Sequence, residues 1–196
     1  MNRLFSITTG WMLSMMTATA AWAGDASTTA WADNGWTSPG SAGATANYNG
    51  DDDGVGFART RTRTGNVNLA RGVAVGFDRD GLDLSLSHAF APKFGPAYAG
   101  TFNLSIGADG QVSGGYGGVL ARGGESRSVE AGGVTSSHDG QTQVITRGNT
   151  APGGTIDAGS RTFSKPRQPR RDAKPSHGRR DRRSAQRMSR ERRFRG

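Results

Sequence analysis

From Val67 to Phe90, apolar side chains fall on alternate residues, a spacing that only extended strands can use. Val67, Leu69, Val73, Val75 and Phe77 occupy odd positions, with Ala70, Gly72, Ala74 and Gly76 between them. After a polar break, Leu82, Leu84, Leu86 and Phe90 recur at even positions, and Asp83, Ser85 and Ser87 point the other way. A period of two predicts strands with one apolar face. The break, Asp78-Arg79-Asp80-Gly81, reads as a four-residue hairpin loop in which Gly81 takes a positive φ. Closing it sets Phe77 opposite Leu82, Val75 opposite Leu84, Val73 opposite Leu86 and Leu69 opposite Phe90. All eight then share one face.

The same chemistry recurs along the chain. Ala108-Asp109-Gly110 suits a three-residue loop that pairs Ile106 with Val112 and Phe102 with Tyr116. His138-Asp139-Gly140 suits another, pairing Val134 with Val144. Asp53-Gly54 precedes the alternating run Phe57-Ala58-Arg59-Thr60-Arg61-Thr62-Arg63-Thr64. The four Asp-Gly glycines, at 54, 81, 110 and 140, stand 27, 29 and 30 residues apart, which predicts a repeated hairpin. The expected fold is all-β over residues 55–150: a Gly-rich antiparallel meander of about seven strands, curled into a small sandwich or open barrel. A β-solenoid with coils of about 30 residues is the alternative. Large apolar residues are few for this length, so the core is thin. A single sheet would leave its apolar face wet; it must fold over itself, dimerise or meet a partner.

The segments on either side read differently. Residues 1–23 carry a short basic start, an apolar stretch and Ala21-Trp22-Ala23, the pattern of a secretory signal cleaved between Ala23 and Gly24. Gly10 and several Ser and Thr interrupt that stretch, so no transmembrane anchor is expected after processing. Export predicts a secreted, periplasmic or cell-surface location. With no cysteine in the chain, neither disulfides nor thiolate chemistry is available. Residues 24–54 are rich in Ala, Ser, Thr, Asn and Gly without an apolar period, and read as a disordered linker carrying Trp31 and Trp36. Asp51-Asp52-Asp53-Gly54 lacks the alternating ligands and closing Glu of a calcium loop and reads as a solvated turn.

Charge divides the chain. Its formal net charge is +9, yet residues 161–196 alone hold 15 basic and 3 acidic residues. Residues 151–196 are expected to form a disordered Arg-rich tail. Its candidate polyanion contacts are Arg167, Arg170, Arg171, Arg179, Arg180, Arg182, Arg183, Arg187, Arg190, Arg192 and Arg193. Guanidinium forks suit phosphate, sulfate and carboxylate. Outside the cytoplasm such a tail implies anionic polysaccharide, lipid phosphate or extracellular nucleic acid as non-specific partners. Few aromatic residues accompany it, so base reading is not implied.

Catalytic constellations are missing from the sequence. His88 sits on the apolar face opposite Arg71, His138 in a turn and His177 in the tail, with no nucleophile or metal-ligand partner beside any of them. Gly114-Gly115-Tyr116-Gly117-Gly118 lacks the Lys and helix of a phosphate loop. Arg59, Arg61 and Arg63 share one strand face and suit either a charged sheet edge or a polyanion ladder. No cofactor is implied. Together these features predict an exported, non-enzymatic binding or surface protein attached to anionic envelope or matrix polymers. A self-assembling structural β protein is the rival reading, and a cell-wall hydrolase a remote one.

Overall fold

A computed structural model describes residues 25–35, 40–50 and 53–166. Ten antiparallel strands form two sheets: β1 (Asp25–Gly35), β2 (Ala42–Asn49), β3 (Val55–Arg63), β4 (Val67–Phe77), β5 (Gly81–Pro92), β6 (Ala97–Gly107), β7 (Val112–Arg122), β8 (Ser126–Ser136), β9 (Gln141–Thr150) and β10 (Thr155–Lys165). The larger sheet has the order β10-β7-β6-β5-β4-β3 and the smaller the order β2-β1-β8-β9. Neither closes into a barrel. Antiparallel pairing throughout rules out the solenoid alternative and leaves a sandwich; seven of its strands, β3 to β9, fall within residues 55–150 as expected, and β1, β2 and β10 add to them from the flanking segments.

Strands β3 to β7 form the meander. Its registers are those that alternation implies: Phe77 pairs with Leu82, Val75 with Leu84, Val73 with Leu86, Leu69 with Phe90, Ile106 with Val112 and Phe102 with Tyr116. Asp78 accepts the N–H groups of Asp80 (2.9 Å) and Gly81 (3.1 Å), so the turn itself consumes this carboxylate oxygen. The β8–β9 hairpin departs by one residue. Val134 faces Gln143, and Gly133 faces Val144, because the loop holds four residues rather than three. The Ser137 N–H donates to Asp83 Oδ2 (3.0 Å) in the other sheet, and His138 lies against Asp80 (3.0 Å). Those two contacts hold Ser137 and His138 in the loop.

The segment expected to be a linker is instead structural. Within residues 24–54, β1 occupies an inner position of the smaller sheet, flanked by β2 and β8. Its inward residues are Ala26, Thr28, Ala30, Ala32 and Asn34, all buried. Alternation is present there, but between small and polar groups, so an apolar period does not reveal it. The folded region also runs past residue 150. Strand β10 pairs along the whole of β7, which carries the domain to Lys165.

Small inward residues define the packing. The core cluster is Ala30, Ala32, Ala70, Ala89, Ala91, Ala97, Ala99, Val119, Ala121, Val129 and Ala131. With so little side chain between them, the sheets approach closely: β1 reaches within 8 Å of β4 and β5, and β8 of β5 and β6, measured between Cα atoms. Ordinary stacked sheets lie ~10 Å apart. Larger inward groups sit where glycines make room. Gly56 and Gly76 are register partners, and the Tyr48 ring occupies the space their missing side chains leave. Val144 sits likewise against Gly115 and Gly117.

Hydrogen bonds cross the same interior. Ser85 Oγ donates to Asn103 Oδ1 (2.6 Å), which leaves Thr28 Oγ1 to donate to Ser85 (2.8 Å) across the sheets. Asn103 Nδ2 donates to Thr101 Oγ1 (3.2 Å), and Thr101 to the Leu86 carbonyl (2.8 Å). Asn68 Nδ2 reaches the Asp33 carbonyl (2.8 Å) and Asn34 Nδ2 that of Ala91 (3.2 Å). Paired in this way, buried polar groups avoid a desolvation penalty of about 1–3 kcal/mol each. Burial pushes the Asp83 carboxyl above its ordinary value, partly offset by hydrogen bonds from Ser137.

Two substitutions separate close packing from generic glycine effects. A Cβ on Gly72 would lie 2.7 Å from the Thr45 carbonyl oxygen of the opposite sheet, whereas one on Gly159 meets nothing within 4 Å. In urea unfolding, Gly72→Ala is expected to cost about 1–3 kcal/mol, and Gly159→Ala to be neutral or stabilising by up to about 1 kcal/mol.

Asp83 gives a pH test. Folding favours its protonated form, so its contribution is fully present below 3.8 and fades as pH rises through the raised folded value. Asp83→Asn keeps an oxygen for the Ser137 N–H. It is expected to raise the unfolding temperature at pH ~7 and to flatten its dependence on pH above about 4.

Candidate functional site: the outer face of the six-stranded sheet

Because the small residues face inward, the large ones face out. Successive registers align them in rows across all six strands. One row runs Val55, Phe77, Leu82, Ile106, Val112 and Lys165. The next runs Phe57, Val75, Leu84, Leu104, Gly114 and Phe163, and the third Arg59, Val73, Leu86, Phe102, Tyr116 and Arg161. Phe57 is 56% exposed, Phe77 64% and Tyr116 50%, so these are wet surfaces rather than a second core. Five inter-strand gaps of ~4.8 Å and two row steps of ~6.8 Å give a block roughly 24 Å by 14 Å, on the order of 300 Å² in projection. The largest apolar patch on a folded monomer is commonly of about that size and is often functional.

The smaller sheet is the reverse. Its outward residues include Ser27, Thr29, Asp33, Ser128, Glu130, Gln143, Arg147 and Asn149, with Trp31, Val134 and Ile145 half-buried among them, a mostly polar surface. The sandwich thus has one mostly polar side and one largely apolar side.

Arginine borders the apolar rows. The fourth row runs Arg61, Arg71, His88, Gly100, Gly118 and Gly159, and the fifth Arg63, Leu69, Phe90, Tyr98, Leu120 and Asp157. Tyr98 leans across the glycines of the fourth row and meets the His88 ring, with centroids 5.4 Å apart. Burial lowers the His88 pKa, and the charge of Arg71 lowers it further. Arg59, Arg61 and Arg63 of the edge strand β3, with Arg71 of β4, make a cluster of four guanidinium groups. Among the described residues none of the four has a carboxylate partner; ion pairs there join Arg79 to Asp53 and His138 to Asp80. A pocket of about 550 Å³ opens between Arg61, Arg63 and Arg71, lined also by Thr64, Gly65, Asn66, Val67 and Leu69. A second, of about 220 Å³, lies between Arg59, Arg61, Arg71, Thr60 and Val73.

Arg59, Arg61 and Arg63 therefore occupy an edge strand and a shared face, as their spacing implies. Arg71 joins them only through the β3–β4 register, which sets it opposite Arg61. The signal for that register is the shared odd-numbered parity of Arg59, Arg61 and Arg63 with Leu69, Val73 and Val75 on either side of the loop containing Gly65-Asn66. Trp31, assigned to the linker, lies on β1 with its ring against Gly43. The cleavage residues Ala23 and Gly24 and the tail arginines from Arg167 to Arg193 lie outside the described residues. No protein-family model, curated protein or solved structure matches the chain.

An exposed apolar face contributes less to folding than a buried one and much to surface chemistry. Phe102→Ser with Tyr116→Ser, which removes an opposed and half-buried aromatic pair, is expected to lower unfolding free energy by about 1–3 kcal/mol. The same pair should sharply reduce binding of a hydrophobicity-sensing dye such as anilinonaphthalene sulfonate to the folded protein.

Proposed function

We propose that this chain is an exported, non-enzymatic binding protein that lies on an anionic envelope surface, apolar side down. The carrying observation is the outer face of the six-stranded sheet: three largely apolar rows, bordered by Arg59, Arg61, Arg63 and Arg71, which have no neutralising carboxylate among the described residues. An apolar block alone would suit many partners. Combined with guanidinium groups it suits lipids, whose phosphates meet arginine while the acyl boundary accepts Phe and Leu. Burying on the order of 300 Å² at ~25 cal/mol per Å² is worth several kcal/mol before association costs. Each basic side chain near an anionic leaflet adds roughly 1 kcal/mol. The polar outer face of the smaller sheet would remain in water.

The arginine-rich tail extends the same chemistry. Its 13 basic residues between 167 and 195 would hold lipid phosphate, or anionic polysaccharide and released nucleic acid, through unspecific charge contacts. Two basic elements on one chain raise each other's effective concentration at a surface. Nothing in this reading needs a catalytic group or a cofactor.

Vesicle co-sedimentation tests the reading. The processed protein is expected to bind vesicles containing phosphatidylglycerol, to ignore pure phosphatidylcholine, and to lose about tenfold in affinity as salt rises from ~50 to ~300 mM. Changing Leu84, Leu104 and Phe102 to Ser should weaken binding even with the tail intact. Equal binding by that variant would assign attachment to the tail alone, and soluble dimers formed through this face would favour self-association instead.

A further inference from the structure

We propose that the pocket between β3 and β4 is a binding site for a phosphomonoester, held by Arg61, Arg63 and Arg71. The inference rests on the reading of this face as the binding surface and names the group that its basic corner takes. Arg61 and Arg71 are register partners on adjacent strands. Like charges placed directly opposite in a sheet repel, and antiparallel pairs normally avoid them. His88, the next residue in that row, adds no negative charge; burial, and then the charge of Arg71, hold its pKa below the ordinary value. The unpaired charge is therefore concentrated at one end of the apolar face, where a concave pocket of about 550 Å³ is open to receive a ligand.

The chemistry of the lining selects among anions. A carboxylate has one charge and two coplanar oxygens, which a single guanidinium satisfies in a fork. Three guanidinium groups around one pocket call for an anion with more charge and more acceptors. A phosphomonoester supplies about −1.5 to −2 at neutral pH and three terminal oxygens. Thr64 and Asn66, also in the lining, offer further polar contacts, and Val67 and Leu69 form an apolar wall. That wall suits a phosphate carried on an organic group. The same phosphomonoester chemistry occurs free in solution and on a lipid such as phosphatidic acid.

Thermal unfolding of the full processed chain in inorganic phosphate, against chloride at equal ionic strength, tests the site. Saturable stabilisation of about 3–5 °C is expected by ~10 mM phosphate at pH ~7.5. Arg71→Gln and Arg61→Gln should each abolish that shift. Neither should lower the melting temperature in chloride, since each relieves the opposed charges. Changing Arg179, Arg180, Arg182 and Arg183 together to Gln should leave the shift intact. Vesicles of phosphatidic acid and of phosphatidylglycerol, matched in surface charge, form the second arm. Preference for phosphatidic acid, lost in Arg71→Gln, makes the lipid the source. A phosphate shift without vesicle binding supports the pocket with a soluble ligand and counts against the surface reading alone. No phosphate-specific shift, or one that persists in both single variants, overturns the proposal.

Discussion

Close approach of two sheets through alanine, glycine, serine and threonine is the constraint from which the rest of this structure follows. Where Cα atoms of facing strands come within 8 Å, there is no room for Leu or Phe between them. The interior accepts Ala70, Ala89 and Ala99 and sends Leu69, Phe90 and Tyr98 outward from neighbouring positions. The sandwich is held by extended backbone pairing, dense small-residue contact and a paired polar network around Ser85 and Asn103, rather than by a large apolar core. Apolar area is thereby left over, and most of what is exposed lies on one side.

That side is uneven in charge as well as in hydropathy. Arg59, Arg61, Arg63 and Arg71 gather at the β3 edge, and Arg161 and Lys165 stand on β10 at the opposite edge, with Asp157 as the acid on the five aligned rows. An apolar centre with basic margins is the arrangement expected of a surface that meets anionic amphiphiles. The aromatic rings contribute to its shape. Tyr98 covers Gly100 and Gly118, and Phe163 lies on Gly114, so side chains of adjacent strands fill gaps that glycine leaves. Packing thus accounts for the glycine run from Gly114 to Gly118 without a ligand loop.

Much of the meander was legible because its hairpins combine two independent signals, alternation and a turn. The registers around Gly81 and Gly110 follow from those signals alone. The β8–β9 register could not be read so, because contacts to Asp83 and Asp80 in the other sheet enlarge its loop. Strand β1 was hidden for a different reason: Ala26, Thr28, Ala30 and Ala32 are buried without being large, and burial of small residues leaves no apolar period. The same blindness applies to which face is inside. Alternation places Leu84 and Leu104 on a common face, but only the size of the opposing residues decides whether that face meets the other sheet or solvent. The edge position of Arg61 was foreseeable; its juxtaposition with Arg71 required a register across Gly65-Asn66.

The central claim is that the apolar face of the larger sheet, and not the polar face of the smaller one, meets the anionic surface. The chain has no cysteine, so single labelling positions can be introduced cleanly. An environment-sensitive fluorophore would be attached at Leu104→Cys in one protein and at Thr29→Cys in another, and its emission followed as anionic vesicles are added. A blue shift at position 104 with none at position 29 is the expected result. No shift at either position while the protein sediments with the vesicles, or a shift confined to position 29, would contradict it.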